Sequence, residues 1–211
     1  MSDKPALADE SAAREFVRDR VDEVAFDRLE RFSDLLIAEN KHQNLISRPS
    51  ESLIWQRHIA DSVQLLDHVP RETREGGGAW LDLGTGAGFP GIVLAAILPT
   101  PQINLVESRA KRIEFLQRMV TELDLDRCTV LGQRLETIKP FPARVITARA
   151  FAPLDKLLRL SAPFSTKETR YVLPKGRSAA HELDQLKAPI RKMFHVEQSL
   201  TDPEAGIILS K

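Results

Sequence analysis

WLDLGTGAGFPG, residues 80–91, is the stretch that decides the fold. A short apolar run ends in Gly84, Gly86 and Gly88, and Phe89 to Leu98, closed by Pro99 and Pro101, reads as a helix. In a doubly wound sheet this strand–turn–helix junction lies at the carboxyl edge, where ligands bind. Glycines there permit positive φ and a close backbone approach, and the helix behind them offers free N–H groups. The spacing G-x-G-x-G differs from the dinucleotide fingerprint G-x-G-x-x-G, and Phe89 and Pro90 stand where a diphosphate-binding loop keeps small residues. A bulky apolar residue and the nearby Asp82 carboxylate suit a ligand with an adenosine and a cationic amino-acid end. S-adenosylmethionine is such a ligand.

Outward from the loop, short apolar strands alternate with helices. INLVES (103–108), CTVLG (128–132), RVITARAF (144–151) and RYVLP (170–174) read as strands, and 109–123, 154–161 and 178–187 as helices. Two closing strands, MFHVEQSL and GIILSK, form a hairpin-like pair. The pattern predicts an α/β fold with a seven-stranded, mainly parallel sheet carrying an antiparallel edge strand. Before Gly76-Gly77-Gly78 the chain is helical: Phe16, Val17, Val21 and Val24, then Leu29, Phe32, Leu35 and Leu36, recur at three- and four-residue steps. Ser50 is expected to cap a helix from Glu51 to about His68. The triple glycine divides a helical N-terminal segment, 1–75, from a ligand-binding domain, 76–211.

Glu107 ends the second strand, where a carboxylate can accept both ribose hydroxyls of an adenosine. Leu135 and Glu136 follow the third strand, where an apolar and a polar contact can bracket the adenine. Methyl transfer from a sulfonium is an in-line displacement, so positioning in a dry cleft supplies much of the catalysis. After the fourth strand, an Asn/Asp-Pro-Pro-aromatic turn would mark an exocyclic amine acceptor, but TARAFAP (147–153) places Arg149 there. Carbon-5 of a pyrimidine requires a thiolate, and Cys128, the lone cysteine, reads as a small core residue. A ring nitrogen with a free lone pair, such as guanine N7, needs neither base nor nucleophile. The five histidines show no metal-ligand spacing, so no metal is expected, and no serine sits in G-x-S-x-G.

Composition fits a globular chain: 211 residues, 42% hydrophobic, 28% charged, with no apolar run near the roughly 20 residues of a membrane span. The acidic N-terminus MSDKPALADESAAREF lacks a secretory h-region, so the chain is expected to be cytoplasmic and not membrane-bound. A net charge of zero hides an asymmetry. Residues 1–75 carry 11 Lys/Arg against 16 Asp/Glu, whereas 109–177 carry 15 against 7. Arg109, Lys111 and Arg112 open a helix, where positive charge opposes the macrodipole. Phosphate contact is one use for Arg109 and Lys111; a surface pair with Glu107 or Glu114 is the other. Lys175 and Arg177 flank Gly176 at the active edge and are further RNA-contact candidates.

NKHQNLIS (40–47) and RHIADSV (57–63), followed by LDLGTGAGFPGIVLA, ESRAKRIEFL, ITARAFAPL and LPKG, resemble the bacterial small-subunit ribosomal RNA guanine-N7 methyltransferases, the RsmG/GidB family. The resemblance spans about 26–211 and implies a Rossmann-like class I S-adenosylmethionine-dependent methyltransferase fold with a helical N-terminal extension. It further implies that Gly84, Gly86 and Phe89 line the methyl donor, Glu107 meets its ribose, and Leu135 and Glu136 flank its adenine. Arg149 is placed at the mouth of the pocket and Lys175 near incoming RNA. The implied substrate is a guanine in the decoding-region loop of 16S rRNA, read in the small ribosomal subunit or its precursor by a monomer. Glu39 stands where the family often has tryptophan. A methyltransferase for a small molecule or protein is the competing reading; a non-catalytic ribosome-associated protein and an NAD-dependent oxidoreductase follow.

Overall fold

Two aspartate-capped helices open the chain. In the computed structural model, which describes residues 7–211, Asp9 and Asp22 accept the Ala12 and Ala25 N–H groups at the starts of α1 (Glu10–Arg18) and α2 (Glu23–Asn40). Residues 1–6, where the acidic N-terminus begins, lie outside the described residues. Phe26, Leu29, Phe32 and Leu36 bury one face of α2, as their spacing requires. Asn40 then organises the following loop: its Oδ1 accepts from the Leu45 and Ile46 N–H groups, and its Nδ2 donates to the Ile46 carbonyl and Glu51. The NKHQNLIS motif thus begins with a buried clamp on its own backbone. Glu39, in the family's tryptophan position, pairs with Arg118 and accepts from Gln43.

The single helix expected over 51–68 is corrected to several pieces. A short turn, α3 (Arg48–Glu51), starts after Ser47 with Pro49 in its first turn. The chain re-enters helix at Trp55, where both carboxylate oxygens of Glu10 take the Trp55 and Gln56 N–H groups. This distant acid does the capping that Ser50 was expected to do. Residues Trp55–Ala60 form a π-helix, followed by α4 (Asp61–Val63) and a 3-10 segment, Gln64–His68. A π stretch of this kind is rare and tends to occur at functional sites.

After α5 (Arg71–Glu75) come β1 (Ala79–Leu83), α6 (Gly91–Ile97), β2 (Gln102–Val106), α7 (Ala110–Glu122) and β3 (Cys128–Leu131). The chain continues through β4 (Ala143–Ala148), α8 (Leu154–Ser161), β5 (Arg170–Lys175), α9 (Ala179–Asp184), α10 (Ala188–Arg191), β6 (Phe194–Gln198) and β7 (Gly206–Ser210). The seven strands run in the order β3-β2-β1-β4-β5-β7-β6. β7 pairs antiparallel with both β5 and β6. The expected antiparallel edge strand is therefore corrected: the antiparallel strand lies inside, and the edge strand β6 runs with the parallel set. The short hairpin between β6 and β7 delivers the last strand back against β5.

Each sheet face has its own core. Phe26, Phe32, Ile92, Phe115 and Met119 belong to one, which the N-terminal helices share with α6 and α7. Leu81, Ile146, Leu157, Phe164 and Leu183 belong to the other, beneath α8 and α9. Among the described residues, no helix is long and apolar enough to cross a membrane.

Candidate active site

Parallel register builds the site. Leu83 lies opposite Val106 on one side and Ala148 on the other, and Val106 lies opposite Leu131. The carboxyl ends of β3, β2, β1 and β4 are therefore level, and Gly84, Glu107 and Arg149 each leave a strand at the same height. Because the chain proceeds from β1 outward to β3 and then returns to β4, this edge contains the reversal point that opens a crevice in doubly wound sheets.

A cavity of about 360 Å³ fills that crevice, lined among others by Gly84, Glu107, Arg112, Leu135, Glu136 and Phe151. Glu107 is only 6% exposed. Its Oε1 accepts from the N–H groups of Ser108 (2.7 Å) and Arg109 (2.9 Å), which fixes the carboxylate on its own turn. Its Oε2 lies 3.7 Å from Arg112 Nη1, leaving acceptor capacity for two vicinal hydroxyls. Leu135 is buried and Glu136 exposed at the 3-10 turn Leu135–Thr137, so an apolar and a polar group do face the crevice together.

The glycine loop is held from beneath. Asp82, 1% exposed, accepts from Thr147 Oγ1 at 2.8 Å and from the Gly91 N–H at 3.0 Å. Burial pushes its carboxyl up to about 6, against the pull of those hydrogen bonds. Asp82 is thus a clamp joining β1, β4 and the start of α6, where the sequence suggested a partner for a cationic ligand. Phe89, expected beside the methyl donor, turns its side chain away from the crevice. Its side chain is 2% exposed and packs against Phe32 and His58, the latter stacked at 4.9 Å, so it does not line the crevice. Gly84, with φ +64°, does: a Cβ there would come within 2.6 Å of the Phe151 ring. Gly86, with φ +62°, faces Arg112 Nη1.

A second cavity of about 970 Å³ adjoins the first, with Arg57, Asp61, Arg149, Lys175 and Thr201 in its walls. Ala150, Phe151 and Ala152 line both cavities and form the partition between them. Arg149 stands on the second cavity's side, not in the crevice. Its guanidinium donates to the Arg57 carbonyl (3.1 Å), faces His58 Nδ1 (2.9 Å), pairs with Asp61 (3.4 Å) and lies over the Phe89 ring. Burial, with Arg149 and Arg57 nearby, pushes the His58 imidazole down to about 3, so it is neutral and accepts at Nδ1. RHIADSV and ARAFAP, far apart in the chain, thus make one network around the glycine loop.

The basic candidates separate. Arg109, at the N-cap of α7, and Lys111, in its first turn, are exposed beside the crevice. It is Arg112 that pairs with Glu107. Arg177 is 77% exposed and pairs with Glu204. Lys175 differs: its side chain is 7% exposed, donating to the Ala152 carbonyl and to Glu182 Oε2, each at 2.8 Å. Cys128 is buried, and burial pushes its thiol up to about 12, which keeps it protonated and unreactive. Among the described residues, no group of three His, Cys, Asp or Glu side chains is placed to hold a metal. Arg112, one of the three cations that open the helix, is thus the partner of Glu107, whereas Asp61 and Phe151 carry no local signal of their roles beyond the place of Phe151 as the aromatic of the turn after the fourth strand.

Comparison with known proteins follows the same lines. A family model described as "rRNA small subunit methyltransferase G" matches residues 25–205. Proteins named ribosomal RNA small subunit methyltransferase G from Erythrobacter litoralis and Novosphingobium aromaticivorans are 55% and 51% identical to this chain. The first alignment covers 97% of both chains; the second covers 97% of this chain and 89% of the relative. Among solved structures, the Aeropyrum pernix fibrillarin with natively bound S-adenosyl-L-methionine superposes with a TM-score of 0.53 at 15% identity, covering 72% of this chain and 74% of that one. A mutant of MtNAS in complex with S-adenosylmethionine gives 0.54 at 16% identity, covering 96% and 84%. These likenesses carry the fold.

Proposed function

The chain belongs to the rRNA small subunit methyltransferase G family, and on that premise we propose that it transfers a methyl group from S-adenosylmethionine to N7 of a guanine in the decoding-region loop of 16S rRNA. The observation that carries this reading is the crevice itself. A carboxylate fixed by its own turn, a glycine wall and an apolar–polar pair stand around a cavity that shares one wall, Ala150–Ala152, with a larger one. The donor set fits the methyl donor. Glu107 takes the ribose hydroxyls, Leu135 and Glu136 bracket the adenine, and the backbone at Gly84 and Gly86 leaves room for the amino-acid end.

When bound, S-adenosylmethionine supplies a methyl carbon already activated by its sulfonium. The chain's residues hold the acceptor in line with it and exclude water. Guanine N7 uses its lone pair to form the new N–C bond while the C–S bond breaks, and no proton has to leave. A neutral His58 engaged with Arg149 and a buried thiol at Cys128 are compatible with that chemistry and not with thiolate attack. Arg109, Lys111 and Arg177 contact RNA phosphates at the rim. The enzyme acts as a cytoplasmic monomer without a metal, and the segment 1–75 works as part of the site through Arg57, His58 and Asp61.

Transfer of labelled methyl to small subunits, followed by borohydride reduction and aniline cleavage, tests this. Cleavage at one guanine is the expected result. Label on protein, on a small molecule or at a site resistant to cleavage would overturn it. Replacing Arg109 and Lys111 by alanine is expected to make the log–log salt dependence of binding shallower by about one per residue.

A further inference from the structure

The turn from Arg149 to Pro153 is held at three points. At its start, Arg149 is bonded to the Arg57 carbonyl and His58 and paired with Asp61. In its middle, the Ala152 carbonyl accepts from Lys175 Nζ. At its end, Glu182 Oε2 accepts the Leu154 N–H at the start of α8, where Pro153 provides no side-chain cap. Glu182 also pairs with Lys175 and accepts from Ser178 Oγ, so one carboxylate from α9 fixes both the helix start and the lysine. Between these points Ala150 has φ +53°, a left-handed conformation that an alanine adopts only when its surroundings impose it. Phe151, the next residue, lies over Gly84 in the partition between the cavities.

We propose that Lys175, with Glu182, is a positioning residue for methyl transfer: the pair holds the left-handed turn that sets Phe151 at the meeting point of donor and acceptor. Resting on the function proposed above, this replaces the RNA-contact role that the LPKG motif suggested for Lys175. A lysine with its charge matched by Glu182 at 2.8 Å and its side chain 7% exposed has little left to offer a phosphate. Its nitrogen is instead spent on a backbone carbonyl that no other described side chain is seen to hold.

The test compares Lys175→Met, Lys175→Arg and Glu182→Gln in the full-length protein, with kinetics measured on whichever atom the wild-type enzyme methylates, so that a misassigned acceptor leaves the comparison intact. Lys175→Met and Glu182→Gln are each expected to lower kcat by about tenfold or more while KM for subunits stays within about twofold. Lys175→Arg, which can still donate to the Ala152 carbonyl and pair with Glu182, is expected to recover most of the loss. Amide exchange in the two impaired variants should rise in peptides covering 150–156, where the Leu154 N–H reports directly, and not across β1 or β2. A raised KM with unchanged kcat in Lys175→Met, a salt dependence shallower by about one, and an unaffected Glu182→Gln would establish phosphate contact and overturn the proposal. Unchanged kinetics in Lys175→Met would overturn it equally.

Discussion

Two turns stand side by side on the carboxyl edge of the sheet, and they reach the same backbone conformation by opposite means. The turn after β1 uses glycine, with φ +64° at Gly84; the turn after β4 uses alanine, with φ +53° at Ala150. Leu83 and Ala148, the residues that end these two strands, are register partners. Glycine takes the left-handed region at little cost, whereas alanine loses about 1–2 kcal/mol there. The glycine turn takes its conformation from residue type and is clamped from beneath by Asp82. The alanine turn depends on its own Arg149 and on Lys175 and Glu182, side chains from β5 and α9. One turn is a wall of the crevice set by residue type; the other is a wall whose position is set by its neighbours.

Substitutions on either side break or sharpen this contrast. The largest effect is expected at Gly91, where a Cβ would lie 2.2 Å from Leu105 Cδ2 and 2.7 Å from Asp82 Oδ2. Gly91→Ala should cost about 3 kcal/mol or more in chemical unfolding, whereas Gly176→Ala, with open space around it, should stay within about 0.5 kcal/mol. Comparable losses in the two would remove the claim that the glycine turn is packed against its clamp.

Asp82 gives the next effect, through pH. Its carboxyl is raised from 3.8 to about 6 in the folded state, so the native protein holds a proton that the unfolded chain releases between those values. Stability from this group is therefore present at low pH and lost as pH rises towards 6, amounting to about 3 kcal/mol at full span. The unfolding free energy of Asp82→Asn relative to wild type should accordingly improve by up to that amount between pH 4 and pH 7. A pH-independent difference would show that Asp82 titrates normally.

Smaller effects compare the two turns directly. Gly84→Ala combines a left-handed alanine with a contact on Phe151 and should cost about 2 kcal/mol, together with most of the donor affinity. Ala150→Gly should change stability by less than about 1 kcal/mol, because relief of strain is offset by the greater freedom of glycine in the unfolded chain. Equal and large losses at both positions would mean that the alanine is not strained.

The same contrast explains what could be read from the amino-acid sequence. The glycine turn was legible because residue type and conformation coincide: Gly84, Gly86 and Gly88 all have positive φ. The strand–helix alternation was legible for a similar local reason, since each strand is an apolar run bounded by breakers. Glu107 was legible because its place at a strand end is set by register alone. Arg149 and Lys175 were visible as charges at strand ends, but their partners were not, for Arg57, His58, Asp61 and Glu182 come from elsewhere in the chain. The direction of the Phe89 side chain was not legible, because only tertiary packing brings Phe32 and His58 around it. The helix over 51–68 was misjudged because its true cap, Glu10, lies about 45 residues away, beyond any local signal. The inner position of β7 follows from pairing with β5, which alternation does not encode.

A crystal structure with S-adenosylhomocysteine, the product nucleoside, tests the central claim most directly. Its ribose hydroxyls are expected on the Glu107 carboxylate, its adenine between Leu135 and Glu136, and its sulfur facing the Ala150–Ala152 partition. A nucleoside lodged in the larger cavity beside Arg57 and Thr201, or hydroxyls with no contact to Glu107, would contradict it.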